Sequence, residues 1–319
     1  MAKLTRSFEF EVKPLPPYDF RLTIKKPAGW SLFGPAEIYE DETLWTVTNI
    51  DGALVGVKFS SKGTIENPRV LVRVFLKKKP ARAEKERLKR LLAQAIGADQ
   101  DLRQFYRVAK RDKILKHVIG DLYGMHDTFS PNIFSEAVLA ILLQMAPLKR
   151  STTMMASFID VYGEVANFDG KRIKAWPTSR RMAGVSIGEL KRTCNMGYRA
   201  KSIVKLAKRL EAGDFPTVEQ LKDMDPARAK ERLLELPGVG DYSADIVSPQ
   251  GGFPIDVWSV EVFGKLFFRK KPTNNRLAIE RVKKEGLKRW GKWAWMAFFY
   301  VVQDLGNLSR KLGIKLRLA

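Results

Sequence analysis

The sequence predicts an α+β protein, with a small antiparallel sheet within residues 1–80 and a mainly helical body over 81–319. Three observations carry this. Before Pro80 apolar residues alternate with polar ones, and after it they recur at helical spacing. A turn rich in glycine and proline, "LPGVG" at 236–240, then separates two helical stretches late in the chain.

Taken in order, "FEFEV" (8–12) and "FRLTI" (20–24) read as short strands. "LWTVTNI" (44–50) sets Trp45 and Val47 opposite Thr46 and Thr48, and "ALVGVKF" (53–59) repeats the alternation through Val55, Val57 and Phe59. Asp51-Gly52 between them is a strong hairpin signal. "RVLVRVFL" (69–76) adds a strand, and the sheet should be covered on one face. Past Pro80, Leu88, Leu91, Leu92, Ala95 and Ile96 share one helical face. Ser130-Pro131 reads as an N-cap followed by a first-turn proline. It opens "NIFSEAVLAILLQMA", apolar nearly all round and so a buried central helix. Helices are expected near 151–162, 187–194, 199–211, 217–223, 226–235, 241–247, 259–268, 275–289 and 293–304, with a helical pattern throughout this region.

Charge narrows the partners. Fifty-seven Lys and Arg against 35 Asp and Glu leave a net charge of +22, a surface that repels itself unless a polyanion is a regular partner. Nucleic acid is the first candidate and an anionic membrane surface the second. No apolar run reaches the roughly 18–20 residues of a membrane span, and the start alternates like a strand rather than a signal peptide. With Cys194 as the single cysteine, an intramolecular disulfide and a four-cysteine zinc or iron–sulfur site are excluded. His117 and His126, the two histidines, argue against a histidine-rich metal centre. A reducing, intracellular setting is expected.

"LLELPGVGDYSADIV" (233–247) reads as a helix-hairpin-helix. A helix N-terminus presents unpaired N–H groups and partial positive charge, a ready phosphate site. Gly238 and Gly240 allow the tight turn and a close approach to those amides, Pro237 fixes the entry, and Val239 tucks inward after Leu236. Such a cup grips a DNA phosphate without reading sequence. Downstream, "GGFPIDVWSVEVF" (251–263) places Asp256 among apolar residues. A carboxylate beside DNA is costly unless it meets positive charge, and an oxocarbenium-like sugar supplies that charge as a base departs. Asp256 could steady that cation and orient or deprotonate water. The plainer alternative is an aspartate that only caps the helix after it.

Residues 236–247 and 254–258 resemble the helix-hairpin-helix and the Gly/Pro-rich loop with aspartate that define a DNA glycosylase superfamily (HhH-GPD). "CNMGYRAKSIVKLAKRL" (194–210), "DLRQFYRVAKRDKIL" (101–115) and the β-rich start are similar to its 3-methyladenine and 8-oxoguanine branches. The resemblance covers most of the chain and is most specific over 233–258. It implies two helical subdomains, 134–256 with the hairpin and 81–133 plus 257–319, with the active-site cleft between them. It implies Asp256 as the catalytic aspartate, and Gly238, Val239 and Gly240 as the hairpin turn, with Leu236, Pro237 and Ser243 beside it at the DNA. Bifunctional members carry a lysine where this chain has Tyr242, and a phenol cannot form a Schiff base. A monofunctional enzyme is therefore expected, leaving the abasic strand uncut. The iron–sulfur cluster of some branches is absent; the resemblance leaves room for at most a monovalent cation at the hairpin. The segment from Tyr242 to Asp256 is shorter than the family's, with "SPQGG" in place of a helix end and loop.

A glycosylase must flip its nucleotide out, so it needs a wedge and a pocket. In relatives the wedge follows the buried helix, here "LLQMAPLKRS" (142–151). Gln144 matches a glutamine often found there, Met145, Pro147 and Leu148 are insertable, and Lys149 and Arg150 would meet phosphates. Tyr242 and Trp258 flank the reaction centre in sequence and are the pocket candidates. Trp176 and "WGKWAWMAFFY" (290–300) add further aromatics, most of the latter reading as core. An aromatic pocket favours a cationic alkylated purine, such as 3-methyladenine, through cation–π attraction. The alternatives are an oxidised or deaminated base (8-oxoguanine-like), a lyase using another lysine, and a non-catalytic DNA-binding protein. Damaged double-stranded DNA is the expected partner, with no membrane and a monomeric chain, in the cytoplasm or nucleoid (the nucleus if eukaryotic).

Overall fold

Alternation before Pro80 becomes a five-stranded antiparallel sheet of order β2-β6-β5-β4-β3 in the computed structural model, which describes residues 2–29, 34–270, 272 and 276–316. Chain order is β1 (Ala2–Lys3), β2 (Arg6–Val12), α1 (Phe20–Ile24), β3 (Ile38–Glu40), β4 (Thr43–Ile50), β5 (Ala53–Ser61), β6 (Val70–Leu76) and α2 (Arg82–Ala95). Asp51 and Gly52 turn the β4–β5 hairpin with φ of 51° and 77°, the positive values that a tight two-residue hairpin needs. Val57 faces Val74 and Phe59 faces Val72 across the β5–β6 pair, and all four are fully buried. Leu88, Leu91, Leu92 and Ala95 of α2 complete that core. By packing, the first helix beyond residue 80 thus belongs with the sheet.

Two local readings change. "FRLTI" is the helix α1 and not a strand: the Asp19 carboxylate accepts from Leu22 N at 2.8 Å, and Phe20, Thr23 and Ile24 bury one helical face. The central helix is capped by Asn132 rather than Ser130, because the Asn132 side chain reaches the amides of Phe134 and Ser135.

The helical body runs α3 (Arg103–Arg111), α4 (Ile133–Leu143), α5 (Leu148–Tyr162), α6 (Ser179–Ala183), α7 (Ile187–Cys194), α8 (Arg199–Glu211), α9 (Val218–Asp223), α10 (Pro226–Leu234), α11 (Asp241–Val247), α12 (Ser259–Phe268), α13 (Arg276–Trp290), α14 (Ala294–Gln303) and α15 (Leu305–Leu312). It is not helical throughout. β7 (Val165–Phe168) and β8 (Lys171–Lys174) interrupt it as a hairpin about Asp169-Gly170, and β1 joins β7 in parallel.

Around α4, whose Ala137, Val138, Ala140, Ile141 and Leu142 are wholly buried, α5 to α11 build one core. The segment 102–125, including α3, packs instead with α12 to α15 in a second core. Among the described residues no helix is long and apolar enough to cross a membrane.

Candidate active site

The turn between α10 and α11 is built by burying Leu236 and Val239, which closes with Val239 N donating to Leu236 O at 3.0 Å. Gly238 adopts φ 84°, and a Cβ there would stand 2.5 Å from Ser202 Cβ of α8. At Gly240 a Cβ would meet nothing within 4 Å, so approach to the first-turn amides of α11 is open. Leu236, Val239 and Ser243 are buried, so these three shape the hairpin while Gly238 and Gly240 are exposed. Asp241, on the opening turn of α11, is balanced by Lys230 at 2.5 Å and by Lys283, which also reaches the buried Asp245 at 2.5 Å. Lys230 holds Asp245 at 2.7 Å as well. This ion cluster ties α10 and α11 to α13.

Asp256 does cap a helix. Its Oδ1 accepts from Trp258 N (3.0 Å), Ser259 N (2.8 Å) and Ser259 Oγ (2.7 Å) at the start of α12. Capping occupies one oxygen only: Oδ2 accepts no hydrogen bond from the described residues. Burial, and then the Asp256 carboxylate, push the Tyr242 phenol above its ordinary range. The carboxyl therefore acts electrostatically on the first turn of α11, directly after the glycine turn. The cap aims the group and leaves its second oxygen for another partner.

The turn after α4 is braced from three sides. Gln144 Nε2 donates to Gly238 O (2.8 Å) and to Ser243 Oγ (2.7 Å). The buried Arg199 guanidinium donates to Ile141 O (3.2 Å) and Gln144 O, and Ser151 Oγ donates to Leu142 O (2.8 Å). Gln144 thus joins the turn to the hairpin and does not project. What projects is Met145, at φ 49° with 65% of its surface exposed. Pro147, Lys149 and Arg150 are exposed beside it, and the Leu148 side chain lies outside the described residues.

Between the sheet unit and both helical cores lies a cavity of about 600 Å³. Glu136, Leu139 and Leu143 of α4 form one wall, Trp295, Phe298 and Phe299 of α14 another, with Lys26 and Tyr39 from the sheet unit. It also touches Trp176 and, at the end of α11, Ile246. Tyr242 and Ile246 are one helical turn apart on the same face of α11, while Asp256 itself does not line the cavity. Tyr242 and Trp258 are half-buried and do not line it. The short "SPQGG" segment explains part of its shape. At Gly251 (φ 69°) a Cβ would stand 2.3 Å from the Trp295 ring, and at Gly252 one would stand 2.4 Å from the Asp245 carboxyl.

No protein-family model matches the chain. The DNA-3-methyladenine glycosylase of Bacillus subtilis is 23% identical over 247 residues, spanning 74% of this chain and 78% of the relative. A probable N-glycosylase/DNA lyase of Methanothermobacter thermautotrophicus is 25% identical over 241 residues, 68% and 73% of the two chains. Among solved structures, a 3-methyladenine DNA glycosylase from Archaeoglobus fulgidus superposes with a TM-score of 0.73 at 19% identity, over 96% of this chain and all of that one. A Clostridium acetobutylicum 8-oxoguanine glycosylase/lyase bound to double-stranded DNA gives 0.68 at 16% identity, over 98% and 99%. Over nearly its whole length the chain has the fold of these DNA glycosylases.

On this fold the cavity holds a group of residues that local sequence did not reveal. Lys26, Asp127, Glu136 and Trp295 come from four separate segments and meet only in the cavity. The aromatic run at 290–300 offered the one usable signal. Trp290, Met296, Phe299 and Tyr300 are buried as core spacing requires, yet Trp295 and Phe298 turn a face to the cavity.

Proposed function

We propose that this chain is a monofunctional DNA glycosylase that draws a damaged base, an alkylated purine foremost, out of double-stranded DNA and hydrolyses its N-glycosidic bond. The observation that carries the reading is Asp256, oriented through Oδ1 by the start of α12 while Oδ2 has no hydrogen-bond partner among the described residues. In this reading the α11 amides hold a phosphate, Met145 fills the gap in the base stack, and the base enters the cavity. As the base departs, Asp256 Oδ2 faces the developing oxocarbenium and orients water toward the sugar carbon. Water, not an amine, is the nucleophile, since Tyr242 stands at the position where lyases of the superfamily carry lysine. The face of Trp295 and the carboxyls of the cavity suit a base bearing positive charge.

The test is a set of duplexes, each carrying one lesion, incubated with enzyme and analysed with and without alkali. Strand breaks that appear only after alkali are expected. Asp256→Asn should bind abasic DNA within about threefold of the parent while base release falls by at least about 10³-fold. Release at the parental rate from that variant removes the mechanism. A covalent complex trapped by borohydride removes the monofunctional assignment.

A further inference from the structure

We propose that Glu136 is a specificity-determining residue of the cavity, its carboxylate selecting a positively charged base over a neutral base of the same shape. This rests on the glycosylase reading above and concerns the same cavity.

Four acids, Glu37, Asp99, Asp127 and Glu136, line the cavity with Lys25, Lys26 and Lys222. Lys222 pairs with Asp99 at 2.8 Å, Lys25 is exposed with its ammonium over the Tyr39 ring, and Lys26, 4% exposed, is the buried ammonium set among Glu37, Asp127 and Glu136. Lys26 Nζ donates to Thr128 Oγ1, and no ion pair within 4 Å joins it to Asp127 or Glu136 among the described residues. Both Asp127 oxygens are in use, Oδ1 by Thr128 N (2.9 Å) and Oδ2 by Trp295 Nε1 (2.5 Å). Glu37 accepts from Thr46 Oγ1 at 2.7 Å. Glu136 lies close enough to Lys26 and the Ser130 hydroxyl to feel both, yet makes no ion pair within 4 Å among the described residues. Lys26 is thus the one buried ammonium shared by three acids, and among them Glu136 is the one whose carboxyl closes neither a hydrogen bond within 3.5 Å nor an ion pair to another described residue.

Position agrees with charge. Glu136, Leu139 and Leu143 form one face of α4, so the cavity runs about 10 Å along that helix, from the end next to Met145 down to the Glu136 carboxyl. A base entering beside Leu143 advances toward Glu136 with Trp295 on its flank. Trp295 lies nearly parallel to Phe298 (6.1 Å, 18°) and to Phe299 (6.3 Å, 14°). Its N–H is given to the Asp127 carboxyl, which draws negative charge into the indole and strengthens attraction for a cation over its face.

Electrostatics supply the selection. A carboxylate withdrawn from water resists ionisation unless positive charge lies near. Burial, and then the Asp127 charge, push Glu136 up to about 7, with Lys26 and the Ser130 hydroxyl opposing. A cationic base provides the missing counter-charge, and a neutral base of equal shape gains nothing from Glu136 and must also desolvate it.

The experiment compares the parent with Glu136→Gln, which keeps the size of the side chain and removes its charge. Single-turnover release would be measured from duplexes carrying 7-methylguanine, a cation, and hypoxanthine, which is neutral. Binding of 7,9-dimethyladeninium and of neutral 9-methyladenine would be measured by calorimetry on the same proteins. Expected is a loss of at least about tenfold on both cationic probes and a change below about threefold on both neutral ones. Equal losses on charged and neutral probes, as a merely structural role would give, overturn the proposal, and so does no loss at all. If the parent releases neither base, the glycosylase reading fails separately. The calorimetric pair still decides this proposal, through a preference for the cation that Glu136→Gln abolishes or leaves intact.

Discussion

Met145 holds an apolar side chain 65% exposed on a left-handed backbone, a conformation unusual for a residue without glycine's freedom. Since the side chain buries little in the free protein, Met145→Ala should leave the melting temperature within about 1–2 °C of the parent. Base release from duplex DNA should nevertheless fall about tenfold or more, with part of the loss restored when the lesion is mispaired and already easier to extrude. Unchanged single-turnover rates would remove Met145 from the mechanism. Gly251 is the opposite case, silent in solvent and committed to packing. An alanine there meets both the positive φ of 69° and the Trp295 ring at 2.3 Å. Gly251→Ala is expected to cost about 1–3 kcal/mol in urea unfolding and to displace the indole, lowering release of charged bases as well.

At the scale of elements, the hairpin is a local object held by distant ones. Its turn is legible because Gly238, Gly240 and the buried Val239 answer a local backbone need. Its anchoring to α13 through Lys283, and to the end of α4 through Gln144, is not legible in the same stretch. Asp245 is 4% exposed and carries two lysines. Removing its charge leaves both ammoniums leaning on the exposed Asp241, so Asp245→Asn should lose about 2–4 kcal/mol by thermal or urea unfolding. A loss below about 0.5 kcal/mol would show that the cluster is ornamental to stability. The two misread segments have the same origin. "FRLTI" satisfies a strand pattern over five residues, too few for periodicity to overrule the Asp19 cap, and "VANFDGKRIK" carries a DG turn inside a region otherwise helical.

For the molecule as a whole, three cores meet at one cavity and the chain carries a net charge of +22. If about 5 phosphates are neutralised, the logarithm of DNA affinity should fall with the logarithm of salt at a slope of roughly −4 to −5. A slope shallower than about −2 would exclude an extended backbone contact. The cavity also makes stability depend on pH. Glu136 is raised from 4.5 to about 7, so its contribution is present below about pH 4.5 and is lost as pH climbs through 7. Glu136→Gln should therefore melt with the parent at pH 5 and a few degrees above it at pH 8, with Asp127 and Lys26 unchanged as its charged neighbours. Identical melting curves at both values would show that the carboxyl ionises freely.

By itself the sequence determined the α+β class, the basic surface, the glycine hairpin and an aspartate placed shortly after it. Each follows from residues close together along the chain, where spacing and backbone chemistry leave few alternatives. The tertiary structure alone decided that Asp256 spends one oxygen on a cap and keeps the other, that Gln144 braces the turn while Met145 projects, and that Lys26, Asp127, Glu136 and Trp295 share a cavity. A cavity wall is assembled by side chains far apart in sequence, and its charge balance exists only once they have been brought together.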